Sequence, residues 1–198
     1  MLAPVRLVVT VVVGYLLGSL PIANLVARRA GAGDLRDVGD RNPGYWNAQA
    51  TLGRRAALPV FVGDLAKGLV AALVGRLLAG DGEWWLAYLG TAAAMVGHAF
   101  PVLARLRGGR SVLTFVGGAI VCAPLPAAIA IVAMAAVSAA TRRFDVGARV
   151  GVAAYPLVQL AIDGPQRTAA TGALMTFIGM RFATAAWRTR GRASAAGG

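Results

Sequence analysis

Six apolar runs, at residues 2–27, 56–75, 84–104, 112–140, 146–162 and 168–187, follow one another with only short polar breaks. A helix of about 20 apolar residues, rising about 1.5 Å per residue, spans the roughly 30 Å hydrocarbon core of a bilayer. Such repetition restricts the chain to an all-α, polytopic integral membrane fold, because lipid satisfies no broken backbone. The balance of 58% hydrophobic against 14% charged residues, with mean hydropathy +0.66, agrees. The first run is too long for the apolar region of a signal peptide and is followed by Arg28 and Arg29, so it reads as a retained span.

The 112–140 run carries no charge, and as one helix it would extend about 43 Å. Pro124 and Pro126 near its middle predict two shorter helices instead. The arginines favour the same division, since Lys and Arg in short loops collect on the cytoplasmic side. Two helices give about seven transmembrane helices, with the N-terminus outside and the C-terminus cytoplasmic. Apart from Lys67 and Arg76, within or at the end of a span, every cation except Arg6 and Arg167 then falls inside. One helix would move Arg142, Arg143, Arg149 and the C-terminal arginines outside and remove most of the bias. Residues 1–190 read as a single transmembrane domain, and 191–198 as a short disordered cytoplasmic tail.

The net charge of +12 would point first to nucleic acid in a soluble protein. Here it falls on membrane loops, with no nucleic-acid motif beside it, so membrane lipids are the expected partners and nucleic acid is not. Cys122 is the only cysteine, which excludes an intrachain disulfide and a cysteine-cluster metal site. His98 is the only histidine, which excludes multi-histidine motifs and leaves open only carboxylate-bound magnesium.

Three features gather on the inner side in this topology. The loop from Asp34 to Asn47, with Arg36 and Asn42, is dense in turn formers and hydrogen-bonding side chains; it reads as a binding loop or as a solvated connector. Asp64 and Lys67 lie three residues apart on one helix face within a span, where ionisable groups mark function or an internal ion pair. The third feature runs from His98 to the turn Arg107-Gly108-Gly109-Arg110-Ser111. Paired glycines can expose backbone N–H groups, the arginines add charge, and the following helix start favours anions, so the turn reads as a phosphate seat or a plain positive-inside loop. His98, about 10 Å along a helix from Arg105, is placed to act as a general base or to sit hydrogen-bonded in the core.

In order, Gly18-Ser19-Leu20-Pro21, Asp34-Leu35-Arg36-x-Val38-Gly39, Asn42-Pro43-Gly44, Asn47, Leu52-Gly53, Asp64-x-x-Lys67-Gly68, Gly97-His98-x-Phe100-Pro101-Val102 and Gly108-Gly109 resemble the bacterial acyl-phosphate:glycerol-3-phosphate acyltransferase family, PlsY, through roughly the first 120 residues. The resemblance implies a seven-helix enzyme of the bacterial inner membrane with its site facing the cytoplasm. It implies transfer of an acyl group from acyl-phosphate to the 1-hydroxyl of glycerol-3-phosphate, giving lysophosphatidic acid, with no metal or other cofactor. It sets no oligomeric state. His98, Asn47 and Lys67 are then the expected catalytic residues. Arg36, Asn42, Asp64, Arg107, Gly108, Gly109, Arg110 and Ser111 are expected to bind substrate phosphate.

Several motif positions differ. Asp40 stands where the family has serine, Arg41 where it has glycine, Tyr45-Trp46 where it has Ala-Thr, and Ala50 where it has arginine. The second motif survives as Arg107-Gly108-Gly109-Arg110-Ser111-Val112-Leu113-Thr114, and the C-terminal Arg-His-Arg-x-Asn stretch is not recognisable near Met180 to Thr184. Asp40 is therefore expected to set an anion where anionic substrates meet, and Trp46 to fill space the family keeps small. A catalytically silent relative that binds phosphate, lipid or a partner enzyme is the alternative reading, with transport as a third.

Overall fold

Proline and glycine mark several helix boundaries, at Pro21, Gly53, Pro124 and Gly164, whereas Pro59 and Pro156 lie inside helices. The computed structural model describes the backbone of residues 3–196 and the side chains of residues 3–187. It contains α1 (Ala3–Gly18), α2 (Ile22–Arg29), α3 (Tyr45–Leu52), α4 (Arg54–Leu78), α5 (Trp85–Ala99), α6 (Val112–Cys122), α7 (Pro124–Thr141), α8 (Phe144–Asp163) and α9 (Pro165–Ala196). No strand occurs among the described residues, so the all-α expectation holds.

Pro21 has no N–H for the helix ladder, and it separates α1 from α2 within the apolar segment Ala3–Arg29. The 112–140 run also breaks as expected. Ala123 leaves helical geometry at φ −147° and ψ 75°, and Pro124 takes the first position of α7, where its missing N–H costs no bond. Ala3–Arg29, Arg54–Leu78, Trp85–Ala104 and Pro124–Thr141 are each long and apolar enough to cross a bilayer. By contrast α6, with 11 residues, reaches only about 16 Å.

Contacts between helix ends show that the chain runs back and forth between two ends of the bundle. At one end, Arg6 Nη1 of α1 meets Glu83 Oε2 at 2.8 Å before α5, and the Arg167 guanidinium of α9 lies 5.5 Å from the Trp84 ring centroid. At the other, the Tyr15 hydroxyl donates to the Phe100 carbonyl at 2.9 Å, and the Trp46 ring meets Phe144, at the start of α8, at 5.4 Å.

Helices approach closely because small residues line their contacts, as expected where lipid gives apolar side chains no reason to associate. Gly18 of α1 sits against the backbone of Ala94 in α5, and Gly68 of α4 against the backbone of Thr114 in α6. The core is mostly alanine, whereas Val8, Leu16, Val62, Leu77 and Val132 face outward, the reverse of a soluble protein. At the C-terminus α9 carries helical backbone through Ala196, and 197–198 lie outside the described residues.

Candidate functional site

Asp64 and Lys67 project from the buried face of α4, their side chains only 3% and 4% exposed, with Nζ 2.8 Å from Oδ1. So little exposure makes each charge dependent on the other. Lys67 also donates to the Leu20 carbonyl at 3.3 Å, beside the Pro21 break. From the last turn of α5, His98 brings Nδ1 to 3.6 Å from the same Asp64 oxygen. The three groups form one cluster across two helices.

The turn after α5 closes over this cluster. Arg105, Leu106 and Ser111 adopt left-handed φ values of 55°, 57° and 64°, each costing on the order of 1 kcal/mol. That backbone folds the glycines onto the helix end: Gly108 N–H donates to Ala99 O at 3.1 Å and Gly109 N–H to His98 O at 3.0 Å. Both amides are thus committed to helix carbonyls that α5 itself leaves without partners. The turn expected as an anion seat therefore has its two glycine amides engaged within the fold. Close approach explains the glycines instead, since a Cβ on Gly108 would strike His98 O and one on Gly109 would strike the His98 ring. Ser111 is likewise an internal residue, its hydroxyl donating to Met95 O at 2.8 Å.

Asn24, Pro43, Asp64, Lys67, His98, Pro101, Arg107, Gly108 and Gly109 line a narrow cleft. An open basin, lined by Arg36, Asp37, Arg41 and Arg107, adjoins it. Arg107 belongs to both.

The 34–47 loop supports this cleft more than it enters it. Arg36 Nε donates to Asp34 Oδ1 at 2.8 Å and to Oδ2 at 3.0 Å, while Nη1 donates to Ala104 O at 2.8 Å. These hydrogen bonds from Arg36 are the main reason that the Asp34 carboxyl is lowered from 3.8 to about 2, and the same bonds raise Arg36. Asn47 Nδ2 donates to Leu35 O at 2.8 Å and Val38 O at 3.0 Å, so the amide expected at the reaction centre is spent on the loop. Asn42 lies beside Gly109, and its N–H donates to Asp40 Oδ1 at 3.1 Å.

Two expectations about the altered motif residues change. Asp40 does not confront the cleft as a bare anion, because Arg110 Nη1 holds its Oδ2 at 2.9 Å. Trp46 fills no site space. It is 55% exposed and stacks near Tyr45 and Phe144, with ring centroids 5.3 and 5.4 Å away.

The residues that sequence reasoning missed are Asn24 and Arg181. Asn24 is buried and accepts from Leu35 N–H at 3.2 Å, and an amide inside an apolar run was its available signal. Arg181 of α9 donates from Nε to Gly109 O at 3.3 Å and from Nη2 to Gly108 O at 3.3 Å and Ala99 O at 3.4 Å. Its motif surroundings are gone, and in the sequence it is one more arginine near a helix end.

These features define a polytopic helical membrane protein with a cationic, histidine-containing cleft at one end of its bundle. The Glycerol-3-phosphate acyltransferase family model matches residues 8–193, beyond the 120 residues in which the motifs were legible. The chain is 37% identical over 173 residues to the glycerol-3-phosphate acyltransferase of Jannaschia sp. (strain CCS1), covering 87% of this chain and 83% of that one. It is 36% identical over 151 residues to that of Geobacter sulfurreducens, covering 76% of each. The fold is similar to the crystal structure of PlsY, an integral membrane glycerol 3-phosphate acyltransferase, in its glycerol 3-phosphate form. That match has a TM-score of 0.77 at 23% identity and covers 92% of this chain and 91% of that one. The chain belongs to the glycerol-3-phosphate acyltransferase family.

Proposed function

We propose that the chain transfers an acyl group from acyl-phosphate to the 1-hydroxyl of glycerol-3-phosphate, giving lysophosphatidic acid. Family membership supports the reaction. The observation that carries it to particular residues is the convergence of Asp64, Lys67, His98 and Arg107 on one cleft.

The chemistry follows from that placement. The acceptor hydroxyl oxygen attacks the acyl carbonyl carbon, the carbon–oxygen bond to phosphate breaks, and inorganic phosphate leaves with the bonding electrons. Lys67 and Arg107 supply charge to the phosphates and to the developing oxyanion. The hydroxyl proton passes to the departing phosphate or to His98, the side-chain base lining the cleft. Asp64 holds Lys67 in place at the cleft. Asn42, Arg36 and Arg110 border the site, and Asn47 holds the loop that carries them.

The same reading has seven crossings, an external N-terminus and a site facing the cytoplasm of a bacterial inner membrane. The arginine distribution supports it, since Arg36, Arg107, Arg110 and Arg181 all meet at the cleft end. Purified protein in lipid, given acyl-phosphate and glycerol-3-phosphate, is expected to form lysophosphatidic acid. Formation no faster than with Lys67→Ala would overturn the proposal, and ligand binding without turnover would favour the silent relative.

A further inference from the structure

We propose that Arg181 is a positioning residue for acyl transfer, acting as a three-carbonyl clamp that fixes the Gly108–Gly109 turn, and with it His98 and Arg107, against the cleft. This rests on the acyltransferase reading above. The guanidinium bonds the carbonyls of Ala99, Gly108 and Gly109, while the amides of Gly108 and Gly109 bond the carbonyls of Ala99 and His98. The end of α5 and the turn are therefore joined from both sides. Arg181 Cζ also lies over the Phe100 ring, 4.7 Å from its centroid.

Arginine suits the task for a geometric reason. Its planar fork offers several donors in fixed directions, so one side chain can meet three carbonyls, whereas a lysine ammonium is a point donor on a flexible stem. A cation is also favoured at a helix C-terminus, and the Ala99 carbonyl accepts from Arg181 in addition to the Gly108 N–H. Arg107 stands one residue before the clamped pair, and the His98 ring packs on Gly109. Slack in the turn thus reaches the charge and the imidazole together. Arg181 arrives from α9, far along the chain, so it also sets the distance between α9 and the cleft.

The test uses the full chain in lipid nanodiscs and reads hydrogen exchange at residues 105–111 alongside kcat and KM. Arg181→Ala is expected to speed exchange at the Gly108 and Gly109 amides by about tenfold or more, with α4 amides still protected. It should lower kcat by about tenfold or more with a smaller change in KM, and added guanidinium ion should restore part of the rate. Arg181→Lys should resemble Arg181→Ala. Full turnover in Arg181→Lys would overturn the clamp, because charge alone would then suffice. Unchanged exchange in a folded Arg181→Ala would overturn it as well, and Arg181→Gln serves the same reading if the alanine variant does not fold. Wild-type turnover no greater than that of Lys67→Ala would strike the acyltransferase reading, while the exchange measurement still decides the clamp.

Discussion

Arg110 Nη1 lies 2.9 Å from Asp40 Oδ2, so two altered motif positions neutralise one another beside the Gly108–Gly109 turn. The Asp40 side chain is 44% exposed, and exposed pairs contribute little, about 0–1 kcal/mol. Asp40→Ser should therefore leave thermal stability nearly unchanged while releasing the Arg110 charge toward anionic ligands. The expected result is a KM for glycerol-3-phosphate lower by about two- to fivefold at low salt, with the gain shrinking as ionic strength rises. Steady-state kinetics at two salt concentrations decide it, and an unchanged or higher KM counts against the assignment.

The Asp64–Lys67 pair lies at the opposite extreme of burial. Lys67→Met leaves a buried carboxylate without its cation and should cost about 3–5 kcal/mol, whereas Asp64→Asn with Lys67→Met together should recover most of that loss. Neither variant should form lysophosphatidic acid, because the phosphate charge is gone in both. Thermal unfolding in detergent beside the turnover assay separates the two roles. Activity in the stable double variant would mean that the pair serves packing alone.

The 34–47 loop carries its own pH dependence. Asp34 is lowered from 3.8 to about 2 by hydrogen bonds from Arg36, so the ionised form is favoured in the folded loop. The pairing contributes fully above the ordinary carboxyl range and is lost as pH falls through about 4 toward about 2. Limited proteolysis between residues 30 and 44 should accelerate across that window. In Asp34→Asn, cleavage should be faster already at neutral pH and nearly flat below it.

Much of this arrangement was legible in the sequence, for physical reasons that also mark the boundary. Span length and Pro124 are local properties, so the helices and the break in the 112–140 run could be read directly. Asp64 and Lys67 announced themselves because charge is rare inside a span. Arg181 did not, since its importance lies in three carbonyls supplied by distant α5 and its turn. Asn47 and Trp46 show a different limit: their chemistry was apparent, but side-chain direction depends on tertiary packing, which turned one inward to loop carbonyls and the other outward.

The paired glycines make the same point and can be separated by experiment. Neither is described by positive φ, and both are confined by what a Cβ would meet. At Gly108 the neighbours are the rigid His98 carbonyl and Pro101 Cδ, 2.6 Å from the added carbon. At Gly109 they are side-chain groups, the His98 ring, nearest at Nε2 with Cδ2 at 3.1 Å, and Asn42 Oδ1 at 3.3 Å. Gly108→Ala should therefore appear mainly as lost stability, about 1–3 kcal/mol for overpacking against a backbone that cannot yield. Gly109→Ala should fold nearly as well but displace the imidazole, lowering kcat by about tenfold or more. Melting temperatures and kcat measured on both variants test the contrast. Equal losses of activity at equal stability would show instead that the turn acts through its amides, and that the close approach to His98 carries no catalytic consequence.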